Sequence, residues 1–204
     1  MPEIAAIILA AGRSQRFGGD KLAAPLTLGD TRLPLLAHTL RPWLQVFERV
    51  QVVVRPDHAA LSEAVMQGVP GGRDRIAWII CPEADAGMGR SLATGVAATP
   101  AAAGWMIGLG DMPNLTAEVI AAVKCAIEAG AALAAPFVQD QRGHPVGFSS
   151  QFRGDLLALQ VDAGARDLLL REHHRLTRIP VHETGILFDI DTPSDLSHLI
   201  ESER

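Results

Sequence analysis

Short apolar runs alternate with amphipathic stretches along the chain. Residues 4–9 read Ile-Ala-Ala-Ile-Ile-Leu, an unbroken run that suits a strand buried on both faces. Similar runs at 50–54, 76–80, 105–109, 131–137 and 176–181, and a shorter one at 186–188, predict further strands. Helical periodicity fills the intervals. Helices are predicted over 34–40, where Pro42 ends or kinks the pattern, and from an Asp57 cap to residue 67. Others are predicted over 90–98, from a Thr116 cap to 129 with Glu118 in the first turn, and over 149–171 with an interruption near 162–164. A last helix is expected from a Thr192 cap to about residue 200, and residues 22–28 lead into a turn at Gly29-Asp30. The alternation predicts an α/β fold: a doubly wound, mostly parallel sheet with helices on both faces and right-handed crossovers. No linker, repeat or low-complexity segment divides residues 1–204, so one domain is expected.

Ligands of such sheets bind beyond the carboxyl ends of the strands. Three loops are predicted at that edge: 10–21, 81–89 and 110–113. The first holds Gly12, Gly18 and Gly19 with Arg13, Arg16 and Lys21. Glycines let backbone N–H groups approach an anion, and the cations add charge. No Gly-Lys-Ser/Thr closes the loop, and Ser14 stands where a dinucleotide fingerprint needs a second glycine. An arginine-bearing surface loop has the same spacing. Of 18 basic residues only Lys21 and Lys124 are lysine. The arginines therefore say little, whereas a lysine kept in this loop suits work for a compact point charge.

Carboxylates mark the other end of the chemistry. Asp111 follows an apolar run in Leu109-Gly110-Asp111-Met112-Pro113. Magnesium takes one or two carboxylates plus phosphate oxygens, so an aspartate at a strand end is suitable, although a turn aspartate gives the same pattern. In Asp189-Ile190-Asp191-Thr192-Pro193 alternation places both aspartates on one face, with a strand end and helix cap as the plainer alternative.

Composition narrows the class. With 48% hydrophobic and 20% charged residues the chain reads as globular, and its net charge of −5 argues against a broad nucleic-acid or anionic-membrane surface. No apolar run spans a bilayer, and Met1-Pro2-Glu3 lacks the basic region of a signal peptide. Cys81 and Cys125 have no Cys-x-x-Cys spacing and read as free thiols, which makes the cytoplasm the expected location. His173-His174 read as surface, and no Cys/His metal set or Ser–His–Asp order stands out.

Leu9-Ala10-Ala11-Gly12-Arg13-Ser14, followed by Arg16, Gly18 and Lys21, resembles the opening signature of nucleotidyltransferases that activate small molecules with a nucleoside triphosphate. The match is closest to the molybdenum cofactor cytidylyltransferases, relatives of the guanylyltransferases of that cofactor, and it extends from residue 9 to 193. The resemblance implies a nucleotide-diphospho-sugar-transferase-like fold. It implies that Leu9, Ala10, Ala11, Gly12 and Arg13 wrap the triphosphate, that Lys21 contacts its phosphate oxygens, and that Arg16, Lys21 and Asp111 carry catalysis. Mg2+ would be held by Asp111 and Asp191, with Asp189 supporting. The segment from Glu83 to Leu92 would read the base, Glu83 and Ser91 contributing to nucleotide binding. Arg142 and His144, in Arg142-Gly143-His144-Pro145, would bind the acceptor, and the segment from Asp162 to Leu169 would shape its pocket. Family members that use GTP carry Leu-Ala-Gly-Gly, so Ala11 suggests cytidine.

The implied reaction transfers CMP from CTP to molybdopterin-type cofactor and releases pyrophosphate, with transient contact with a molybdenum hydroxylase as the downstream step. Neither nucleic acid nor membrane is an expected partner. A phosphate monoester acceptor is already largely dianionic, its second pKa being roughly 6, so no catalytic base is required. Three other readings remain open: a GTP-dependent guanylyltransferase of the same cofactor, a cytidylyltransferase for a sugar or polyol phosphate, and a non-catalytic cofactor carrier.

Overall fold

The computed structural model describes residues 3–69, 71–160 and 164–196. The apolar runs become strands β1 (Ile4–Leu9), β4 (Val50–Val54), β5 (Ile76–Ile80), β6 (Gly104–Leu109), β7 (Leu133–Val138) and β10 (Leu176–Pro180). Between β1 and β4 lie a hairpin, β2 (Pro25–Leu28) and β3 (Thr31–Pro34), and helix α1 (Leu35–Val46). Helices α2 (Ala59–Gly68) and α3 (Gly72–Arg75) precede β5, α4 (Met88–Ala97) precedes β6, and α5 (Ala117–Glu128) precedes β7. After β7 come the short β8 (Gln141–Arg142), β9 (Val146–Ser149), α6 (Arg153–Leu157) and α7 (Arg166–Arg171).

The main sheet runs β10-β7-β9-β6-β1-β4-β5, with β8 added to β7. Neighbours are parallel except around β9, which lies antiparallel between β6 and β7, and β8, antiparallel to β7. The expected α/β architecture is therefore present, as a mixed, mostly parallel sheet. Its two faces carry separate cores. Trp43, Leu36 and Leu40 of α1 join Val119, Ile120 and Val123 of α5 on one face, while Leu92 and Val96 of α4 join Leu156, Leu168 and Leu169 on the other. Both faces of β1 are covered, which is why its sequence shows no polar alternation. On the first face the Trp43 indole packs on β6 where Gly108 leaves room, since a Cβ at Gly108 would collide with the ring.

Several local expectations are corrected. Residues 186–188 do not form a strand: Ile186 and Leu187 end a 3-10 turn, Thr184–Leu187, and Phe188 follows it. Ile186 is buried there and its carbonyl accepts from the His144 N–H at 3.0 Å, so the segment packs as a turn. Helix α1 continues through Pro42 to Val46, because Trp43 and Leu44 beyond the proline are buried. Asp57 does not cap α2: the helix begins after His58 with no side-chain cap, and Asp57 pairs with Arg55 at 3.4 Å. Thr116 does cap α5, accepting from the Val119 N–H at 3.4 Å. At the end of the chain residues 193–196 are helical, and Asp195 accepts from the N–H groups of Asp191 and Thr192. The rest of that predicted helix, to 200, and residues 162–163 of the predicted interruption lie outside the described residues. Among the described residues no helix is long and apolar enough to cross a membrane.

Candidate active site

Because β1, β4, β5 and β6 are parallel, the loops after them open on one edge of the sheet. Since β9 is antiparallel to both β6 and β7, the turn after β7 and the entry to β9 reach the same edge, and so does the segment after β10. Two backbone bonds lock the centre of that edge. The Gly110 N–H donates to the Leu9 carbonyl at 2.9 Å, and the Ile190 N–H donates to the Asp111 carbonyl at 3.0 Å. The second bond sets Asp189 and Asp191 beside Asp111. Ligand oxygens of these three carboxylates all lie within 4.8 Å of one another.

Like unit charges about 4 Å apart repel by roughly 4 kcal/mol at an effective dielectric of about 20, so this trio needs cations. Two are present. Lys21 Nζ lies 2.8 Å from Asp111 Oδ2 and 3.4 Å from Asp191 Oδ1, its side chain only 9% exposed. Arg16 reaches Asp191 Oδ2 at 2.8 Å from solvent, 75% exposed. Lys21 is placed by a 3-10 turn, Lys21–Ala23, which Asp20 caps by accepting from the Ala23 N–H at 3.4 Å. The neutralisation is incomplete. Asp111 Oδ1 is buried without a hydrogen-bond partner, and burial, with Asp111 and Asp191 nearby, pushes the Asp189 carboxyl above its ordinary value. An orphaned carboxylate oxygen amid clustered oxygen donors fits a hard divalent cation.

A cleft of about 610 Å³ opens from this trio, within the range of small-molecule sites. Of the predicted nucleotide residues, Leu9, Ala10, Ala11, Gly12, Arg13, Arg16, Lys21 and Ser91 line it, together with Asp111, Asp189 and Asp191. Ala11 and Ser91 are buried. Ser14 has a positive φ of 49°, a left-handed conformation that a non-glycine residue rarely adopts, so the loop turns sharply at the residue after Arg13.

Glu83 is not in that lining. It is exposed and its carboxylate pairs with Arg90. The carboxylate of the second loop that reaches the cleft is Asp85, two residues on, which the 3-10 turn Ala84–Ala86 presents. Arg13 donates to Asp85 through Nε at 2.6 Å and through its second nitrogen, and Arg55 donates to the same carboxylate at 2.7 Å. Those hydrogen bonds, Arg13 first and then Arg55, hold the Asp85 carboxyl far below its ordinary value. Asp85 was expected only as part of the segment from Glu83 to Leu92, and Arg55 was not among the expected residues. The position of Arg55 directly after β4 was the available signal, since any residue leaving a parallel strand there faces this edge.

Arg142 and His144 also lie outside the cleft lining, at the β8–β9 turn. Gly143 between them sits against Ile186 so closely that a Cβ would collide with its carbonyl. His144 is half-buried, and its Nδ1 has no hydrogen-bond partner. Burial lowers its pKa from 6.5 to about 4 and the Arg142 charge adds to this, outweighing a hydrogen bond to the Ile107 backbone and the pull of Asp189. Arg142 is itself depressed by burial and by Arg166, the first residue of α7, which the sequence had not singled out. The turn before α7 packs Gly164 against Met88, a cleft-lining residue.

A family model described as MobA-like NTP transferase domain matches residues 6–176. Purine catabolism protein PucB of Bacillus subtilis is 31% identical over 198 residues, covering 95% of this chain and 94% of that protein. A molybdenum cofactor guanylyltransferase of Rhizobium leguminosarum bv. trifolii is 31% identical over 212 residues, covering 99% and 92%. Among solved structures, Rv0371c from Mycobacterium tuberculosis H37Rv superposes with a TM-score of 0.79 at 27% identity over 98% of both chains. The same protein in complex with manganese gives 0.76 at 26% identity over 98% and 99%. With the family model matched over residues 6–176 and these relatives covering 95% and 99% of its length, the chain belongs to the MobA-like NTP transferase family and is a nucleotidyltransferase.

Proposed function

We propose that the protein transfers CMP from CTP to the terminal phosphate of a molybdopterin-type cofactor, forming the cytosine dinucleotide and pyrophosphate. The observation that carries the choice of base is Ala11, buried in the wall of the cleft where GTP-using members of the resembling family have glycine. A methyl group there takes space that a purine would need.

The chain's own groups suffice for the positioning. Backbone N–H groups of residues 10–14 and the charges of Arg13, Arg16 and Lys21 bind the triphosphate. Arg142, with Arg166 nearby, would draw the acceptor phosphate to the β8–β9 turn. One phosphate oxygen attacks the α-phosphorus, the bond between that phosphorus and the bridging oxygen breaks, and pyrophosphate leaves with the electron pair. No proton need move, because the acceptor is already an anion. Catalysis then rests on alignment and charge neutralisation. Asp111 and Asp191, with Asp189, would hold Mg2+, which would neutralise phosphate oxygens. The product would pass to a molybdenum hydroxylase in transient contact.

Guanylyl transfer to the same cofactor is the second reading, favoured by the name of the Rhizobium relative. Pyrophosphate release with each of CTP, GTP, ATP and UTP, in the presence of Mg2+ and molybdenum-loaded molybdopterin, separates the two. Release with CTP alone, and gain of GTP use in Ala11→Gly, is expected. Release with GTP by the unaltered protein overturns the cytidylyl assignment.

A further inference from the structure

The residue expected on the triphosphate is not directed at an open phosphate site. Lys21 Nζ rests on Asp111 Oδ2 at 2.8 Å and Asp191 Oδ1 at 3.4 Å, the same carboxylates proposed to hold the divalent cation. An ammonium and a divalent cation on one carboxylate oxygen repel each other, so the two compete for these atoms. The ammonium is also an imperfect partner: it leaves Asp111 Oδ1 buried and unbonded, and its ion pairs are with Asp111 and Asp191 rather than Asp189. Three carboxylates against two cations leave the cluster one negative charge in excess, and the second of those cations, Arg16, is largely solvated.

The backbone under Lys21 is fixed while its side chain has somewhere to go. Leu22 is buried in the core, and Asp20 caps the turn that carries both residues. Lys21 also lines the cleft with Gly12, Arg13 and Arg16. A rotation of the side chain alone moves its charge between the carboxylates and the loop that would cradle phosphate.

We infer that Lys21 is a resident counter-ion of the carboxylate trio, which it leaves for the triphosphate when cation and nucleotide enter together. This rests on the metal reading given above. The hand-off keeps the carboxylates neutralised without a cation, weakens cation binding by the free protein, and makes cation and nucleotide bind cooperatively. It assigns one side chain two successive partners.

The test is Mn2+ binding to the full chain without nucleotide, followed by electron paramagnetic resonance. Lys21→Met is expected to tighten Mn2+ by at least about tenfold, and a non-hydrolysable triphosphate should then strengthen Mn2+ binding less than it does in the unaltered protein. Unchanged or weaker Mn2+ binding by Lys21→Met overturns the hand-off. The unaltered protein supplies a second readout that needs no variant. With Lys21 and Lys124 the only lysines, 13C labelling at lysine Cε gives two signals, and Mg2+ added together with a non-hydrolysable triphosphate should shift that of Lys21 while leaving Lys124 in place. No shift at saturating Mg2+ and triphosphate overturns the proposal. Asp111→Asn separates the two levels: Mn2+ binding as tight as in the unaltered protein would remove the metal reading itself, whatever Lys21 does.

Discussion

Around the nucleotide cleft each lining cation already touches a carboxylate. Arg13 and Arg55 meet at Asp85, and Arg16 and Lys21 meet at Asp191. At the β8–β9 turn, Arg142 and Arg166 face each other's charge and pair with no carboxylate among the described residues. On the reading proposed above both regions take anions, and they would prepare for them differently. In the cleft the cations are paired with carboxylates, and a ligand would exchange partners with them. At the turn beside β9 the two arginines have no such partner among the described residues, and an incoming dianion would relieve their repulsion without displacing one. An anion should therefore gain more per arginine at the turn, where no ion pair has to break first.

The largest expected effect breaks the cleft. Asp111→Asn removes charge from the centre of the carboxylate trio, and steady-state pyrophosphate release should fall by at least about 1000-fold, the upper range for losing one preorganised electrostatic group. A loss of less than about tenfold would detach Asp111 from the chemistry.

A smaller effect sharpens the other half of the comparison. Arg142→Ala and Arg166→Ala should each raise the KM for the acceptor by about tenfold, the usual worth of one charge-assisted hydrogen bond, with the KM for the nucleotide unchanged. If the nucleotide KM rises instead, these arginines serve the cleft.

The smallest effect is on stability against pH. The folded protein holds His144 near pKa 4, while the unfolded chain takes up its proton near 6.5. Below pH 6.5 the unfolded state binds a proton that the folded state refuses. The contribution is thus fully present above pH 6.5 and is lost as pH falls toward 4. Urea midpoints across that window should drop less steeply in His144→Gln. Parallel pH profiles would mean that His144 is protonated in place.

The sequence by itself determined the six parallel strands β1, β4, β5, β6, β7 and β10 and most of the helices around them. Runs such as residues 4–9 and 50–54 exceed what any surface helix tolerates, and Thr116 ends its loop by a local hydrogen bond that needs no tertiary partner. It also placed the glycine loop and Asp111 at strand ends, where parallel topology makes a common edge. Elsewhere tertiary contacts overrode the local pattern. Residues 186–188 have strand composition, but the tight approach of Gly143 and the bond from the His144 N–H hold them as a turn. The antiparallel insertion of β9 was illegible for a related reason: strand direction is set by partners, not by side-chain alternation.

Only the tertiary structure decided which charges meet. Lys21 finds Asp111 90 residues away and Asp191 170 residues away, and Arg13 finds Asp85 across 72. Nor did spacing distinguish Glu83 from Asp85, because a single 3-10 turn determines which of two nearby carboxylates faces the cleft. Strands follow from short-range patterns of burial that a sequence displays directly. An ion cluster follows from where those strands end in space, and that is fixed by the order of the sheet.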